Sequence, residues 1–177
     1  MKTIYFVRHG QAQANIDRVF AGCLLDSPLT QVGLEQADLT AKGLQGKTFD
    51  MVVSSPLQRA KTTAERIAQR LGYSGEIVQE ALLIERNFGA ATGASWGSPV
   101  EAEIDNGTVD GLETVEQLAG RAQQLLGWLR SLPGESILVV GHGTVEAMLQ
   151  TIYLERPHKT FRDTKELDNA EVREYSL

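Results

Sequence analysis

The chain has 177 residues, 42% apolar and 23% charged, with a formal net charge of −6 and a pI near 5.1. That length suits one domain spanning 1–177 with one substantial core. The acidic balance speaks against nucleic acid or an anionic membrane as partner, so any anionic ligand must be held by a local cluster of cations. The single cysteine, Cys23, leaves no internal disulfide and no zinc ribbon. No apolar stretch approaches the roughly 18 residues of a membrane span. The short run after Met1–Lys2 is cut off by Arg8, too early for a signal peptide, so a cytoplasmic location is expected. Oligomeric state leaves no trace in the sequence.

Taken in chain order, Thr3–Val7 predicts a first strand that ends in Arg8-His9-Gly10. Thr30 is placed to cap a helix running to about Leu44. Phe49–Ser54 predicts a second strand. Ser55 follows as an N-cap, Pro56 in the first turn and Gly72 as the stop of a second helix. In that helix Leu57, Ala60, Ala64, Ile67 and Leu71 recur at three- and four-residue spacings, one buried stripe. Glu76–Val78 predicts a third strand. Thr114 and Gln117 fit a capping box for a helix that ends near Leu132, before Pro133–Gly134. Ile137–Val140 predicts a fourth strand and leads into a helix after Gly143, with Val145, Met148, Leu149 and Ile152 toward the core. Val172–Ser176 completes the set. Strands alternating with helices predict a three-layer α/β/α fold around a mostly parallel sheet.

Ligands of open α/β sheets gather at the carboxyl ends of the strands, and three predicted strand ends carry unusual residues. The first delivers Arg8-His9-Gly10. The second delivers Ser54-Ser55-Pro56, with Arg59 in the first turn of the next helix. The fourth delivers Gly141-His142-Gly143. A cation at a helix N-terminus opposes the macrodipole, unless an anion binds where the free N–H groups already invite one. Gly10 and Gly143 lack Cβ atoms, so the backbone beside each histidine is expected to approach a ligand closely. As metal ligands the two histidines would be badly served: Arg8 adds fixed positive charge, and no HxH, HxxxH or His/carboxylate cluster accompanies them. Two histidines and two arginines fit a phosphate dianion better. Arg8 would hold its oxygens, while its charge helps keep His9 neutral and nucleophilic near pH 7.

"RHG" after the first strand, "DSPLTQVGLEQA" at 26–37, "SSPLQRAKTTAE" at 54–65, "IERNFG" at 84–89 and "VVGHG" at 139–143 occur in order. On these blocks the chain, over roughly residues 1–155, resembles the histidine phosphatase superfamily, the phosphoglycerate mutase-like proteins. The resemblance implies that His9 is a nucleophile forming a phosphohistidine. It further implies that Arg8, Arg59 and His142 neutralise phosphoryl oxygens, that Asn15 adds a hydrogen bond, and that Gly10 and Gly143 belong to the phosphate site. Glu85 matches the family's acid, protonating the leaving oxygen and later activating water. Neither metal nor cofactor is implied, since positioning and charge suffice for phosphoryl transfer.

The residues leave other readings open. Glu85 could be an exposed carboxylate or an ion pair with Arg86, and Asn15 could cap a turn. His158 reads as a surface residue, and Trp96 and Trp128 as packing residues, although the Gly-rich loop of Trp96 could border the pocket. Ala12 stands where the family often has Thr, which removes one hydroxyl from the phosphate site. From Asn87 to Gly120 there is no Lys or Arg, while Glu101, Glu103, Asp105, Asp110, Glu113 and Glu116 are acidic. If this segment lines the pocket, a second anionic group on the substrate meets repulsion. The expected function is therefore a metal-independent phosphatase of small phosphomonoesters. A phosphoglycerate mutase, a protein phosphohistidine phosphatase and a non-catalytic phospho-ligand-binding module are the alternatives.

Overall fold

A computed structural model describes all 177 residues. Five strands, β1 (Thr3–Arg8), β2 (Met51–Ser54), β3 (Ile77–Gln79), β4 (Ser136–Gly141) and β5 (Val172–Ser176), form one sheet in the order β3-β2-β4-β1-β5. All pairings are parallel except β1–β5, which is antiparallel. The helices are α1 (Gln13–Ile16), α2 (Gln31–Gly43), α3 (Gln58–Leu71), α4 (Val100–Asn106), α5 (Val115–Ser131) and α6 (Gly143–Tyr153). No helix is long and apolar enough to cross a membrane.

Alternation along the strands builds two cores. Ile4, Phe6, Val53, Ile137 and Val139 face α5 and α6, in a cluster with Leu125, Leu129, Met148 and Phe161. Tyr5, Val7, Val52, Leu138 and Val140 face α2 and α3, against Ala37, Ala41, Ala60, Ala64 and Ile67. Successive side chains of a strand point to opposite faces, so a run buried on both sides reads as continuously apolar. The result is the expected three-layer arrangement. A third, smaller cluster of Phe88, Ala91, Ile104, Val109 and Leu112 stands apart from both.

The helix signals act where the sequence predicts them except at the start of α3, where Pro56 precedes the N-cap Leu57 instead of lying in the first turn. Thr30 accepts from the Gly33 N–H, and Thr114 and Gln117 form their reciprocal box. Ser55 does not cap α3. The helix begins later, at Gln58, and its N–H is capped across the fold by Asp26 Oδ2 at 2.8 Å. The Ser55 hydroxyl instead bonds His142 Nε2 at 2.8 Å.

Candidate active site

The helix after β1 packs on one face of the sheet and the helix after β4 on the other, which opens a crevice at the carboxyl ends of these adjacent strands. Arg8 pairs with Gly141 in register, so the next residues, His9 and His142, become neighbours with ring centroids 5.1 Å apart. A cavity of about 630 Å³ lies there, and its walls include Arg8, His9, Asn15, Arg59 and Glu85.

His9 is 5% exposed. Its Nδ1 lies 2.7 Å from the Gly10 carbonyl. A carbonyl can only accept, which assigns the proton to Nδ1 and leaves the Nε2 lone pair free. Burial first, then the charges of Arg59 and Arg8, hold this imidazole well below the usual histidine range, so it is neutral at pH 7. The expected influence of Arg8 is present but third in size. His142 is wholly buried behind His9 and is likewise held neutral, chiefly by burial and then by Arg59.

Arg8 donates from Nη1 to the Leu167 carbonyl at 2.6 Å and lies 3.5 Å from a Glu166 oxygen. Arg59, the second residue of α3 and 2% exposed, donates to the Gly22 and Leu25 carbonyls and pairs with Asp26 at 3.4 Å. Asp26 thus explains part of what a cation does at this helix start: it caps α3 and balances Arg59 together. Two buried side-chain atoms close to His9, Arg8 Nε and His142 Nδ1, have no hydrogen-bond partner. Orphans of this kind are rare and call for a ligand or a functional reason. No group of three or more His, Cys, Asp or Glu side chains is arranged to hold a metal ion.

Glu85 is neither exposed nor paired with Arg86. Its Oε2 accepts from Thr144 N–H at 3.1 Å, and its Oε1 accepts from Val145 at 3.2 Å and from Arg86 N–H at 2.8 Å. The carboxylate therefore sits on the N-terminus of α6, where free N–H groups favour an anion. The Arg86 side chain turns away to the Glu113 carbonyl. Asn15 caps the short α1 turn, its Oδ1 accepting from Ala12 N–H at 2.9 Å. This commits its oxygen and leaves its amide nitrogen as the group available to the cavity.

The two glycines serve packing. A Cβ on Gly10 would lie 2.4 Å from the Gly33 carbonyl oxygen. The Gly10 N–H is already given to Thr63 and its carbonyl to His9. A Cβ on Gly143 would lie 2.5 Å from Glu166 Oε2 and 3.2 Å from Arg8 Cζ. These glycines make room for a chain crossing and for an arginine–glutamate pair, and neither they nor His142 form the cavity wall.

Sequence reasoning missed several wall residues. Arg18, Thr144 and Glu166 line the cavity, as do Trp96 and Glu101. Glu166 stands at the mouth with 47% of its side chain exposed; the protein around it, and then the charge of Glu85, raise its carboxyl. Of the six acidic residues between Glu101 and Glu116, only Glu101 reaches this cavity. Asp105 pairs with Arg162 and Glu113 with Arg121, so the segment as a whole does not line the pocket. Trp96 borders the cavity beneath Arg18, while Trp128 packs on the core and His158 is exposed.

A mostly parallel α/β/α sandwich with paired Arg-His-Gly and Gly-His-Gly strand ends defines a protein of the histidine phosphatase type. The profile of the histidine phosphatase superfamily (branch 1) matches residues 4–177, and the chain belongs to that superfamily. It is 33% identical over 153 residues to a candidate phosphoserine phosphatase of Hydrogenobacter thermophilus, covering 81% of this chain and 74% of the relative. It is 35% identical over 168 residues to a candidate phosphoglycerate mutase, GpmB, of Escherichia coli, covering 89% and 77%. Among solved structures, YhfR of Bacillus stearothermophilus shares the fold with a TM-score of 0.88 at 23% identity, over 100% of this chain and 92% of that one. A phosphoserine phosphatase variant from Entamoeba histolytica, bound to phosphoserine, matches with a TM-score of 0.81 at 25% identity, over 98% and 90%.

Proposed function

We propose that the protein hydrolyses small phosphomonoesters without a metal, through a phosphohistidine at His9. The observation that carries this reading is the unprotonated Nε2 of a neutral His9 at the cavity, whose walls also hold Arg59 and Arg8 with its unpartnered Nε. A bound phosphoryl group gives the Arg8 Nε an acceptor. Arg8 and Arg59 spread its negative charge, and the Asn15 amide adds a donor. Nε2 attacks phosphorus in line as the ester P–O bond breaks. Glu85 must enter this step carrying a proton, which it gives to the departing oxygen; the carboxylate left behind takes a proton from the water that cleaves the N–P bond and releases inorganic phosphate.

Hydrolysis rather than mutase chemistry is favoured by the charges left over once Arg8, Arg59 and Glu85 are assigned. They are one cation, Arg18, and two carboxylates, Glu101 and Glu166. A second anionic group on the substrate gains little there. Glu166→Gln is expected to raise kcat/KM for 3-phosphoglycerate severalfold relative to p-nitrophenyl phosphate, because one like charge at the mouth is removed. An unchanged ratio removes Glu166 from substrate selection.

The guanidinium pair supplies the charge that a divalent cation brings to other phosphoryl-transfer sites. Activity toward p-nitrophenyl phosphate should therefore be the same before and after dialysis against excess EDTA. Loss on chelation with recovery on adding Mg²⁺ or Zn²⁺ refutes the metal-free mechanism.

A further inference from the structure

Glu85 sits on a short segment with a hollow on either side. It borders the catalytic cavity, and it also borders a second one of about 680 Å³ whose walls include Glu113, Arg121 and Cys23. Leu83 anchors this segment in the main core; beyond it, Glu85 is tied to the start of α6, and Arg121 and Glu113 supply polar ties on either side. Arg121 of α5 sends Nη1 to the carbonyls of Leu82 and Ile84, at 2.9 and 2.6 Å. Its Nε and Nη2 meet the Glu113 carboxylate, each at 2.8 Å. Glu113 Oε2 in turn accepts from the Asn87 N–H at 3.2 Å, and its carbonyl accepts from Arg86 Nε and Nη2 at 3.0 and 2.9 Å. The ties fall on both sides of Glu85, to residues 82 and 84 before it and 86 and 87 after it.

We infer that Arg121 and Glu113 are positioning residues that hold Glu85 where a leaving-group oxygen must receive its proton. Neither side chain lines the catalytic cavity, and both are mostly buried, 16% and 14% exposed. Arg121 alone can do this. Its planar fork serves two carbonyls and a carboxylate at once, whereas a lysine offers one ammonium point for the same partners. A shift of about 1 Å in a catalytic group can cost on the order of a hundredfold in rate. The inference rests on the phosphatase reading above, with Glu85 as proton donor.

The test is single-turnover phosphoryl transfer with an alkyl phosphate and with p-nitrophenyl phosphate, in Arg121→Lys and Glu113→Gln. Nitrophenolate departs largely without a proton, so a displaced acid harms only the alkyl substrate. The expected result is a loss of about ten- to a hundredfold for the alkyl phosphate, with the aryl rate within about twofold. In a Glu85→Gln background, Arg121→Lys should add no further loss, because groups acting as a unit are non-additive. Glu113→Gln changes no side-chain volume and keeps the readout available if Arg121→Lys fails to fold. Equal losses for the two substrates, or full additivity with Glu85→Gln, overturn the clamp and leave the phosphatase reading intact. Absence of any phosphatase activity in the unaltered protein overturns both.

Discussion

His9→Ala is expected to lower turnover of p-nitrophenyl phosphate by about a thousandfold or more, because no other side chain offers a free imidazole nitrogen to the cavity. His142 is no substitute: it is wholly buried, and its Nε2 is engaged with Ser55. The fold should survive, since His9 lies beyond the end of β1 and outside both large apolar clusters. A rapid quench in alkali, where an N–P bond persists, should trap label on the unaltered protein and none on the variant. Activity in His9→Ala above a few per cent, with its circular dichroism unchanged, would falsify covalent catalysis at this residue.

Glu85→Gln should act differently on different leaving groups. An alkoxide is a poor leaving group and needs its proton in the transition state, and general acid catalysis contributes typically 10²- to 10⁴-fold. Phosphoryl transfer from an alkyl phosphate should therefore fall by about that factor, while transfer from p-nitrophenyl phosphate falls far less. Steady-state rates mix this step with hydrolysis of the proposed phosphohistidine, in which Glu85 is also assigned a part, so the first step must be timed alone in single turnovers. Both Glu85 oxygens accept from the α6 N-terminus, so a glutamine keeps one of these bonds and gives up the other. Losses of the same size for both substrates take Glu85 out of the acid role and turn attention to Glu166, the other cavity carboxylate nearest Arg8.

The sequence was most readable where a local rule acts alone. Thr30, Thr114 and Gln117 form caps because their partners lie three residues away. The strand ends could be found because apolar runs stop abruptly at Arg8, Ser54 and Gly141. Ser55 misled, because its hydroxyl serves a histidine 87 residues away while Asp26 caps the helix from across the fold. The four residues of α1 and the seven of α4 are too short to show a helical period. The glycines were recognised as necessary for a reason that only the packing corrects: Gly10 yields to Gly33, and Gly143 to Arg8 and Glu166. Glu166 itself stands 158 positions from the arginine it meets, and no spacing rule reaches that far.

The small cluster of Phe88, Ala91, Ile104, Val109 and Leu112 gives the molecule a division of labour. It keeps together the segment that carries Trp96 and Glu101 to the cavity mouth, and it does so with apolar contacts separate from those that hold the sheet and its helices. The groups proposed to handle phosphate hang instead on β1 and α3. Residues 88–112 meet the Arg59 side through the loop at 18–22, which they bond by backbone and whose Gly22 carbonyl accepts from Arg59. A lineage built on this plan can vary the part proposed to meet the organic portion of a substrate apart from the clusters that hold the sheet and its helices.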